Sequence, residues 1–520
     1  MKQIIPSIIA TSLWVMPICA PVAAHAQAAS RMSLEQVKSA LPQLERYTQD
    51  VLSKTGVPGA SVAIVFEDQV VYLKGFGLRE AGKTEPVTAD TVFQLASVSK
   101  PIASTVVAAL VSDGQMLWDS RISDLDPGFK LHAPYPTSQL TARDLFMHRS
   151  GLPGEAGTEL EDLGYDRAAI LHRLRFMPPA SSFRSTYSYS DFGITEGAIA
   201  AVKPTGQTWE DVSAEKLYTP LGMTHTSSHH ADFIKETNRA ALHILVDGKW
   251  TSKLLRDADA QSPAGGVSSS ARDMAQWMRL ELGNGKYDGK QLIRPETLAE
   301  THLPLIIRGP NPITGKPAFY GLGWNVDYDT NGRVIWNHAG AFSAGARAVV
   351  ELIPSEHLGI VVLSNAFPTG LPEAVAYTFF DLVHRGKPRK DWLTVWNNLY
   401  DTLFEPATKA SKAMYGKPLA HPTPALSAAA YVGTYRNDYI GKAHVVEQES
   451  GLALQLGPRK KTFSLKHWNR DVFLYHPAAE APDLTFTVTF MIGSDSKANQ
   501  VVISDLNTNG QGVLLRVAKR

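Results

Sequence analysis

Residues 97–100, Ser-Val-Ser-Lys, have the types and the spacing of a nucleophile and its base. On a helix, residues i and i+3 share a face, so the Ser97 hydroxyl and the Lys100 amine can meet. A serine hydroxyl attacks a carbonyl only after a base takes its proton, and a lysine does this when burial lowers its pKa. The apolar residues that follow, among them Ile102, Val106 and Leu110, supply such burial. The pattern predicts a serine nucleophile for acyl transfer.

The Ser-x-x-Lys spacing alone is weak evidence, because about two chance matches are expected in a chain of this length. A second match stands at Ser494 to Lys497, among Gly, Asp and Ser residues and without an apolar helix behind it. We interpret that match as a solvated loop. For Ser97 the competing interpretation is an ordinary helix cap followed by an exposed lysine.

A second segment with residues suited to acyl transfer is Tyr189-Ser190-Asp191, which precedes another helical stretch. A tyrosine close to a serine–lysine pair can carry a proton between the reacting groups. Tyr187 shares the same strand face and is a competing assignment. The alternative for Tyr189 is a buried aromatic side chain whose hydroxyl is hydrogen-bonded elsewhere.

A third segment is His338-Ala339-Gly340, directly after the strand pattern of residues 333–337. A glycine there allows a ligand to approach the backbone closely. The backbone N–H of Ala341 is available for an oxyanion, whose stabilisation is usually the largest electrostatic contribution to acyl transfer. The alternative is a plain turn.

The elements that must position these residues form an α+β outline with an antiparallel sheet. A helical pattern comes first, and two strands joined by a short turn follow it. A long, mainly helical insertion separates this pair from several more strands and a final helix. The helical patterns cover 33–55, 271–282, 295–302 and 373–384, and the strand patterns cover 60–66, 70–77, 321–328, 333–338, 344–353 and 359–365.

The chain is too long for a single hydrophobic core, and its patterns divide it into two domains. Residues 33–385 hold the candidate chemistry. Residues 386–424 are rich in proline and include a tryptophan-bearing helical stretch, which we interpret as a linker. Residues 425–520 alternate short strands with turns, the pattern of a small all-β barrel or sandwich.

The first 26 residues have the features of a signal peptide: Lys2, an apolar stretch, and Ala24-His25-Ala26 as a cleavage site. We therefore expect an exported, periplasmic protein, and no transmembrane span in the mature chain. The sole cysteine, Cys19, lies within this segment, so no disulfide framework is expected. Removing Lys2 changes the net charge from +1 to 0, which argues against a nucleic-acid partner.

The three segments, in this order, resemble the serine β-lactamase and penicillin-binding-protein superfamily, whose pattern is Ser-x-x-Lys, then Tyr-Ser-Asn or a variant, then Lys/His-x-Gly. The stretches 93–97, 145–152 and 218–223 are typical of its class C-like branch. The resemblance covers residues 34–385 and implies an antiparallel sheet flanked by helices, with a helical subdomain. Residues 425–520 resemble the small lipocalin-like domain often appended to that branch. His148, within 145–152, is expected to be structural.

Carried over by position, the resemblance implies that Ser97 is the nucleophile, Lys100 its base or base partner, and Tyr189 the proton shuttle. It implies an oxyanion hole formed by the N–H groups of Ser97 and Ala341, with His338 and Gly340 on the substrate side. It implies no cofactor, and the sequence contains no metal-ligand pattern. The expected partner is a small ester, amide or peptide substrate, and the oligomeric state is open.

Two positions depart from the family pattern. Asp191 stands where an asparagine is usual, which places a negative charge beside Lys100 and should raise the pKa of that amine. His338 stands where β-lactamases and penicillin-binding proteins have a lysine, and a histidine can be neutral where a lysine is charged. Both changes favour an esterase, amidase or D-aminopeptidase over efficient cleavage of β-lactams or D-Ala-D-Ala peptides.

We therefore expect a serine hydrolase that forms an acyl-enzyme on Ser97. The first alternative is a catalytically weak, penicillin-binding-like envelope sensor or scaffold. The second is an α/β-hydrolase whose elbow is the 341–345 segment, Ala-Phe-Ser-Ala-Gly. That elbow requires a strand, a sharp turn and a helix, whereas here a strand-like run follows.

Overall fold

The computed structural model describes residues 32–477 and 484–518. The predicted signal peptide, residues 1–26 with Cys19, lies outside the described residues. The first domain is built on an eight-stranded antiparallel sheet with the order β2-β1-β14-β13-β12-β11-β10-β9. The strands of this domain are β1 Gly59–Phe66, β2 Gln69–Gly77, β3 Val92–Gln94, β4 Ile244–Val246, β5 Lys249–Thr251, β6 Ser268–Ser270, β7 Lys286–Tyr287, β8 Lys290–Gln291, β9 Ile306–Pro310, β10 Pro317–Tyr320, β11 Asn325–Tyr328, β12 Val334–Phe342, β13 Ala346–Ile353 and β14 Leu358–Ser364.

Helices cover both faces of this sheet. The helices of the first domain are α1 Leu34–Thr55, α2 Ser99–Ser112, α3 Ile122–Leu125, α4 Pro134–Gln139, α5 Ala142–Phe146, α6 Thr158–Asp162, α7 Arg167–Arg173, α8 Asp191–Val202, α9 Trp209–Ser213, α10 His230–Lys235, α11 Ala271–Leu282, α12 Pro295–Ala299 and α13 Leu371–Arg385. One apolar core joins α1 and α13 to one face of the sheet, and another joins α2 and α11 to the opposite face.

Local sequence signals explain where the first helix begins and ends. Ser33 caps α1 and forms a capping box with Gln36, so that two backbone N–H groups without a helical partner are hydrogen-bonded. Gly56 ends the helix in the left-handed conformation, with a φ of 64°. Val37, Leu44 and Val51 of this helix are buried, as their periodic spacing predicts.

The second domain is a nearly closed antiparallel barrel of nine strands with the order β18-β17-β16-β15-β23-β22-β21-β20-β19. Its strands are β15 Gly433–Asn437, β16 Gly441–Gln448, β17 Gly451–Leu456, β18 Lys461–Ser464, β19 Lys466–Asn469, β20 Val472–Tyr475, β21 Phe486–Ile492, β22 Ala498–Ile503 and β23 Val513–Arg516. A short helix, α15 (Ala428–Tyr431), precedes the barrel. The predicted α+β fold with an appended β barrel is thus confirmed.

The segment predicted as a linker, 386–424, contains the 24-residue helix α14 (Trp392–Tyr415). The beginning of α14 packs on the first domain: the indole of Trp392 donates to Asp381 at 2.7 Å, and the hydroxyl of Tyr400 donates to Glu373 at 2.6 Å. Aromatic residues on one helical face explain this packing. The domain boundaries themselves stay predictions.

Two strand predictions differ from the structure. The strand predicted over 321–328 is only Asn325–Tyr328, because the backbone turns at Gly323, where φ is 83°. The strand predicted to end before His338 instead continues as β12 to Phe342, where it pairs with β13. The His-Ala-Gly segment therefore lies within a strand rather than in a turn. None of the helices in the described part of the chain is both long and apolar enough to cross a membrane.

Candidate active site

Ser97 lies in a single 3₁₀ turn, Ala96–Val98, that leads directly into α2. The Lys100 side chain, one turn further along, is fully buried, and its Nζ donates to the Ser97 Oγ at 2.9 Å. Ala96, next to the serine, has a φ of 47°, a conformation that costs a non-glycine residue free energy. This turn holds the Ser97 hydroxyl half-buried within reach of the amine, so the i, i+3 geometry expected from the sequence is present.

Lys100 has two further partners. Its Nζ donates to the carbonyl oxygen of Ala264 at 3.0 Å and lies 2.5 Å from a carboxylate oxygen of Asp191. Asp191 begins α8, where the helix dipole favours a negative charge. Burial lowers the pKa of Lys100, and Asp191 opposes this by raising the pKa. The carboxylate acts in the direction expected from the sequence, but the desolvation of the amine outweighs it.

Tyr189 lies directly against the candidate nucleophile. Its hydroxyl donates to the Ser97 Oγ at 2.8 Å, and the Lys100 Nζ lies 4.5 Å from the centre of its ring. Burial raises the pKa of Tyr189 well above its usual value, so the phenol keeps its proton at neutral pH. Tyr187 instead packs against His148 and Tyr320 at centroid distances of 5.5 and 5.4 Å.

His148, which the sequence analysis left outside the site, touches it. The N–H of Ser190 donates to the Nδ1 of His148 at 3.0 Å, and the imidazole ring packs against the Tyr189 ring at an angle of 37°, with 4.6 Å between centroids. Burial lowers the pKa of His148 well below its usual value, so the ring is neutral. His148 thus holds Tyr189 in place. The available sequence signal was the position of His148 directly after the apolar run 145–147.

Strand β12 forms the other wall of the site. A Cβ placed on Gly340 would lie 2.9 Å from the Ser97 nitrogen, so this strand passes directly beside the nucleophile, and Ala341 follows. The side chain of His338 is 4 % exposed, and its Nε2 lies 3.1 Å from the Tyr320 hydroxyl. Burial, with Lys100 adding repulsion, lowers the pKa of His338 to about 3. The imidazole is therefore neutral at physiological pH.

The carbonyl of Ala264 was not among the predicted site residues. It belongs to the buried turn Ser262–Gly266, which lies against α2. The Gly265-Gly266 pair was its only signal, because small residues permit two backbones to approach closely. A backbone acceptor cannot be identified from its side chain.

The structure excludes one candidate motif from the sequence and places another away from the site. The 341–345 segment joins β12 to β13 as a β-hairpin and not as a strand followed by a helix, which rules out the nucleophile elbow. Ser494 and Lys497 lie exposed in the turn between β21 and β22, as predicted. Within residues 32–477 and 484–518, no group of three or more His, Cys, Asp or Glu side chains could hold a metal ion.

Replacing Asp191 with asparagine is expected to shift the acidic limb of the kcat/KM profile to lower pH. On the prediction that Lys100 takes the Ser97 proton, the amine must be neutral, so activity is expected to rise as pH passes the pKa of the amine. Asp191 raises that pKa, and its removal should move the limb down by about one to two pH units. Asp113→Asn, an exposed change at the other end of α2, should leave the limb in place. An unmoved limb in Asp191→Asn would contradict this assignment.

Replacing Gly340 with alanine is expected to damage both folding and activity. The new Cβ would lie 2.0 Å from the carbonyl oxygen of Leu95 and 2.9 Å from the Ser97 nitrogen, both backbone atoms. We expect unfolding to become easier by about 1–3 kcal/mol and kcat/KM to fall about 10²-fold as the strand moves from the serine. Gly128→Ala, which meets only the Asp126 side chain at 3.2 Å, is the control. Chemical denaturation and ester hydrolysis measure the two effects.

Replacing Tyr189, the predicted proton shuttle, with phenylalanine is expected to lower kcat about 10²-fold, because the variant lacks the hydroxyl that would carry a proton to the leaving group. The ring stays, so its contact with His148 and the folding free energy should change little. Tyr187→Phe removes the same atom two residues away and should keep kcat within about threefold of the wild type. If a single-turnover assay shows a larger loss of rate in Tyr187→Phe than in Tyr189→Phe, the proton transfer belongs to Tyr187.

The chain resembles known proteins over most of its length. The family profile described as Beta-lactamase matches residues 44–383, and the domain of unknown function DUF3471 matches residues 417–515. Unguisins hydrolase ungD' of Aspergillus campestris (strain IBT 28561) is 24% identical over 486 residues, covering 88% of each chain. Penicillin-binding protein 4 of Amycolatopsis lactamdurans is 27% identical over 342 residues, covering 62% of this chain and 83% of its own.

A solved structure supports the fold as well. The structure described as that of the octameric penicillin-binding protein homologue from Pyrococcus abyssi superimposes with a TM-score of 0.56 at 19% identity. The match covers 92% of this chain and all of the other. At this identity the likeness concerns the fold alone.

Proposed function

Because the chain belongs to the β-lactamase family, we propose that it is a serine hydrolase that cleaves an ester or amide bond through an acyl-enzyme on Ser97. One observation carries the proposal. The Ser97 Oγ lies between a buried amine at 2.9 Å and a phenol hydroxyl at 2.8 Å, which supplies a base and an acid on one nucleophile.

Acylation uses the amine in its neutral form. The Lys100 Nζ takes the Ser97 proton while the Ser97 Oγ bonds to the substrate carbonyl carbon, and the carbonyl oxygen becomes an oxyanion. The oxyanion is held by the N–H groups of Ser97 and Ala341. Tyr189 gives its proton to the leaving oxygen or nitrogen as the carbon–leaving-group bond breaks, and the Lys100 ammonium returns a proton to Tyr189. A water molecule repeats the sequence on the acyl-enzyme and releases the acid.

The neutral His338 supports simple esters and amides as substrates. β-lactamases and penicillin-binding proteins have a lysine at this position, whereas burial keeps the His338 imidazole neutral, so it offers no positive charge to a substrate carboxylate. The Lys100 amine beside the serine is engaged by Asp191, so it is not free to bind a substrate carboxylate. The relative named Unguisins hydrolase, similar over nearly the whole chain, supports hydrolysis as the reaction.

Labelling with a fluorophosphonate tests the proposal directly. This reagent forms a covalent bond with an activated serine, and intact-mass spectrometry followed by peptide mapping should find one adduct on Ser97. Ser494→Ala removes the serine of the exposed tetrad and should label like the wild type. A substrate panel of p-nitrophenyl butyrate, D-alanyl p-nitroanilide and a chromogenic cephalosporin should show the ester cleaved fastest. If the protein is not labelled and turns over none of these substrates, the sensor or scaffold becomes the better interpretation.

A further inference from the structure

The barrel is fastened to the first domain along one seam. The N–H of Gly157 donates to the Tyr439 hydroxyl at 2.7 Å, and the Tyr165 hydroxyl donates to the carbonyl of Ile440 at 2.8 Å. Arg173 donates to the carbonyls of Asp438 and Tyr439 at 2.7 and 2.8 Å. The turn between β15 and β16 is therefore held against residues 157–173, which include α6 and α7.

A cavity of about 400 Å³ lies at this seam, at one mouth of the barrel. Its barrel side is largely apolar and aromatic, with Phe463, Tyr475 and Phe486 among the lining residues. Its other side is formed by residues 155–163, which carry carboxylates. Concave sites with an apolar lining and a few polar groups are typical of small-molecule binding, and the mouths of β-barrels are among their usual places.

Glu159 lines this cavity with an incompletely bonded carboxyl group. Tyr439 hydrogen-bonds to the group, but within residues 32–477 and 484–518 neither its Oε2 nor the hydroxyl of Thr158 has a hydrogen-bond partner. Burial raises the pKa of Glu159 to about 7, with repulsion from Glu155 adding to it and Tyr439 opposing it. A cation placed beside the ionised form of such a carboxyl offsets its desolvation.

The charge of the lining is mainly negative. Asp505, whose carboxylate accepts from the Tyr475 hydroxyl, stands across from the acidic segment, and Lys461 is the one lysine or arginine among the described lining residues. Aromatic rings beside carboxylates favour an organic cation, because the ring face and the carboxylate both attract positive charge.

The acidic segment also reaches the candidate active site. A Cβ placed on Gly154 would lie 3.0 Å from the carbonyl oxygen of Tyr189. Glu155, which lines the cavity, raises the pKa of Lys100 through its charge. Residues 154–155 therefore contact the backbone of Tyr189 on one side and line the cavity on the other.

We propose that the seam cavity binds a primary ammonium group carried on an apolar or aromatic segment of the substrate, with Glu159 as the main anionic contact. This inference rests on the proposed hydrolase function, which it deepens by assigning a substrate class: esters or amides that also bear an amine. The ammonium enters beside the Glu159 carboxyl, and the apolar segment covers the aromatic wall.

Calorimetry with 3-phenylpropylammonium chloride and its neutral counterpart 3-phenylpropanol tests the cavity itself. The full-length protein should bind the amine about tenfold more tightly than the alcohol, the difference expected for a charged hydrogen bond in a buried site. The amine should also raise KM for p-nitrophenyl butyrate without lowering kcat. Binding that leaves hydrolysis unaffected would overturn the proposal, because the cavity would not belong to the substrate site.

Three variants locate the binding. Glu159→Gln should reduce the preference for the amine to about threefold or less, whereas Glu449→Gln, the same change in an exposed turn of the barrel, should keep it. Lys461→Gln removes the opposing charge and should tighten amine binding. Because these two lining variants have effects of opposite sign, a general loss of folding cannot imitate the result. Equal binding of amine and alcohol by the wild type, or equal losses in Glu159→Gln and Glu449→Gln, would overturn the proposal.

Repeating the calorimetry on Ser97→Ala separates this proposal from the function on which it rests. That variant keeps the cavity, so it should bind the amine like the wild type. Amine binding without ester hydrolysis in the wild type would leave the cavity site intact and defeat the hydrolase proposal. Ester hydrolysis without preferential amine binding would support the hydrolase proposal and overturn the proposal for the cavity.

Discussion

Replacing Ser97 with alanine is expected to lower kcat/KM for p-nitrophenyl butyrate by about 10⁴-fold or more, because the acyl-enzyme can no longer form. The fold should be little affected. Lys100 keeps its contacts with Ala264 and Asp191, and only one hydroxyl is lost, worth about 1 kcal/mol or less of unfolding free energy. Initial rates give kcat/KM, and a denaturation curve for the same preparation gives the unfolding free energy.

The control for this variant is already in the sequence. Ser494 has a lysine at the same spacing but lies in an exposed turn without a buried amine beside it. Ser494→Ala should therefore keep full activity. Because both serines have a lysine three residues later, a difference between the two variants reports the effect of the buried site and not of the spacing. Substantial turnover in Ser97→Ala, with unchanged KM, would mean that another group attacks the substrate.

Replacing Lys100 with methionine is expected to lower kcat about 10³-fold, because methionine has a similar length but cannot take the serine proton. The substitution also leaves Asp191 without its cation, and Asp191 is only 23 % exposed. We expect a loss of about 1–3 kcal/mol in unfolding free energy, less than for a fully buried pair. Lys497→Met, in the exposed turn, should change neither quantity.

A double variant separates the catalytic role of Lys100 from its structural role. Adding Asp191→Asn to Lys100→Met removes the unpaired carboxylate, so stability should recover while activity should not. Recovery of both would mean that Lys100 acts by pairing with Asp191 rather than as a base. Lys100→Arg gives a further check, since its charge satisfies Asp191 but an arginine does not release a proton near neutral pH.

The balance at Lys100 shows why its chemistry was only partly predictable. The sequence indicated both opposing effects, an apolar helix that lowers the pKa and Asp191 that raises it. Which effect is larger depends on how completely the amine is buried and how near the carboxylate lies, and neither follows from spacing. The structure has a fully buried side chain at 2.5 Å from the carboxylate, and burial is the larger effect.

The sequence by itself determined what short-range geometry controls. Residues i and i+3 on a helix share a face whatever surrounds them, so the meeting of Ser97 with Lys100 followed from their spacing. Periodicity and turn residues likewise determined α1, the β1–β2 pair and the strand-and-turn order of the barrel, because these depend on neighbours along the chain.

Only the tertiary structure decided what depends on residues far apart in the chain. Tyr187 and Tyr189 lie in a segment that was predicted as a strand but has no regular secondary structure, and the approach of α2 decides which hydroxyl lies against Ser97, 92 residues away from Tyr189. The same packing brings His148 onto Tyr189, places Gly340 against the Ser97 backbone and closes the seam cavity between two domains. Spacing along a chain fixes contacts within one turn of a helix or one hairpin, whereas contacts between elements are fixed by how their apolar faces pack.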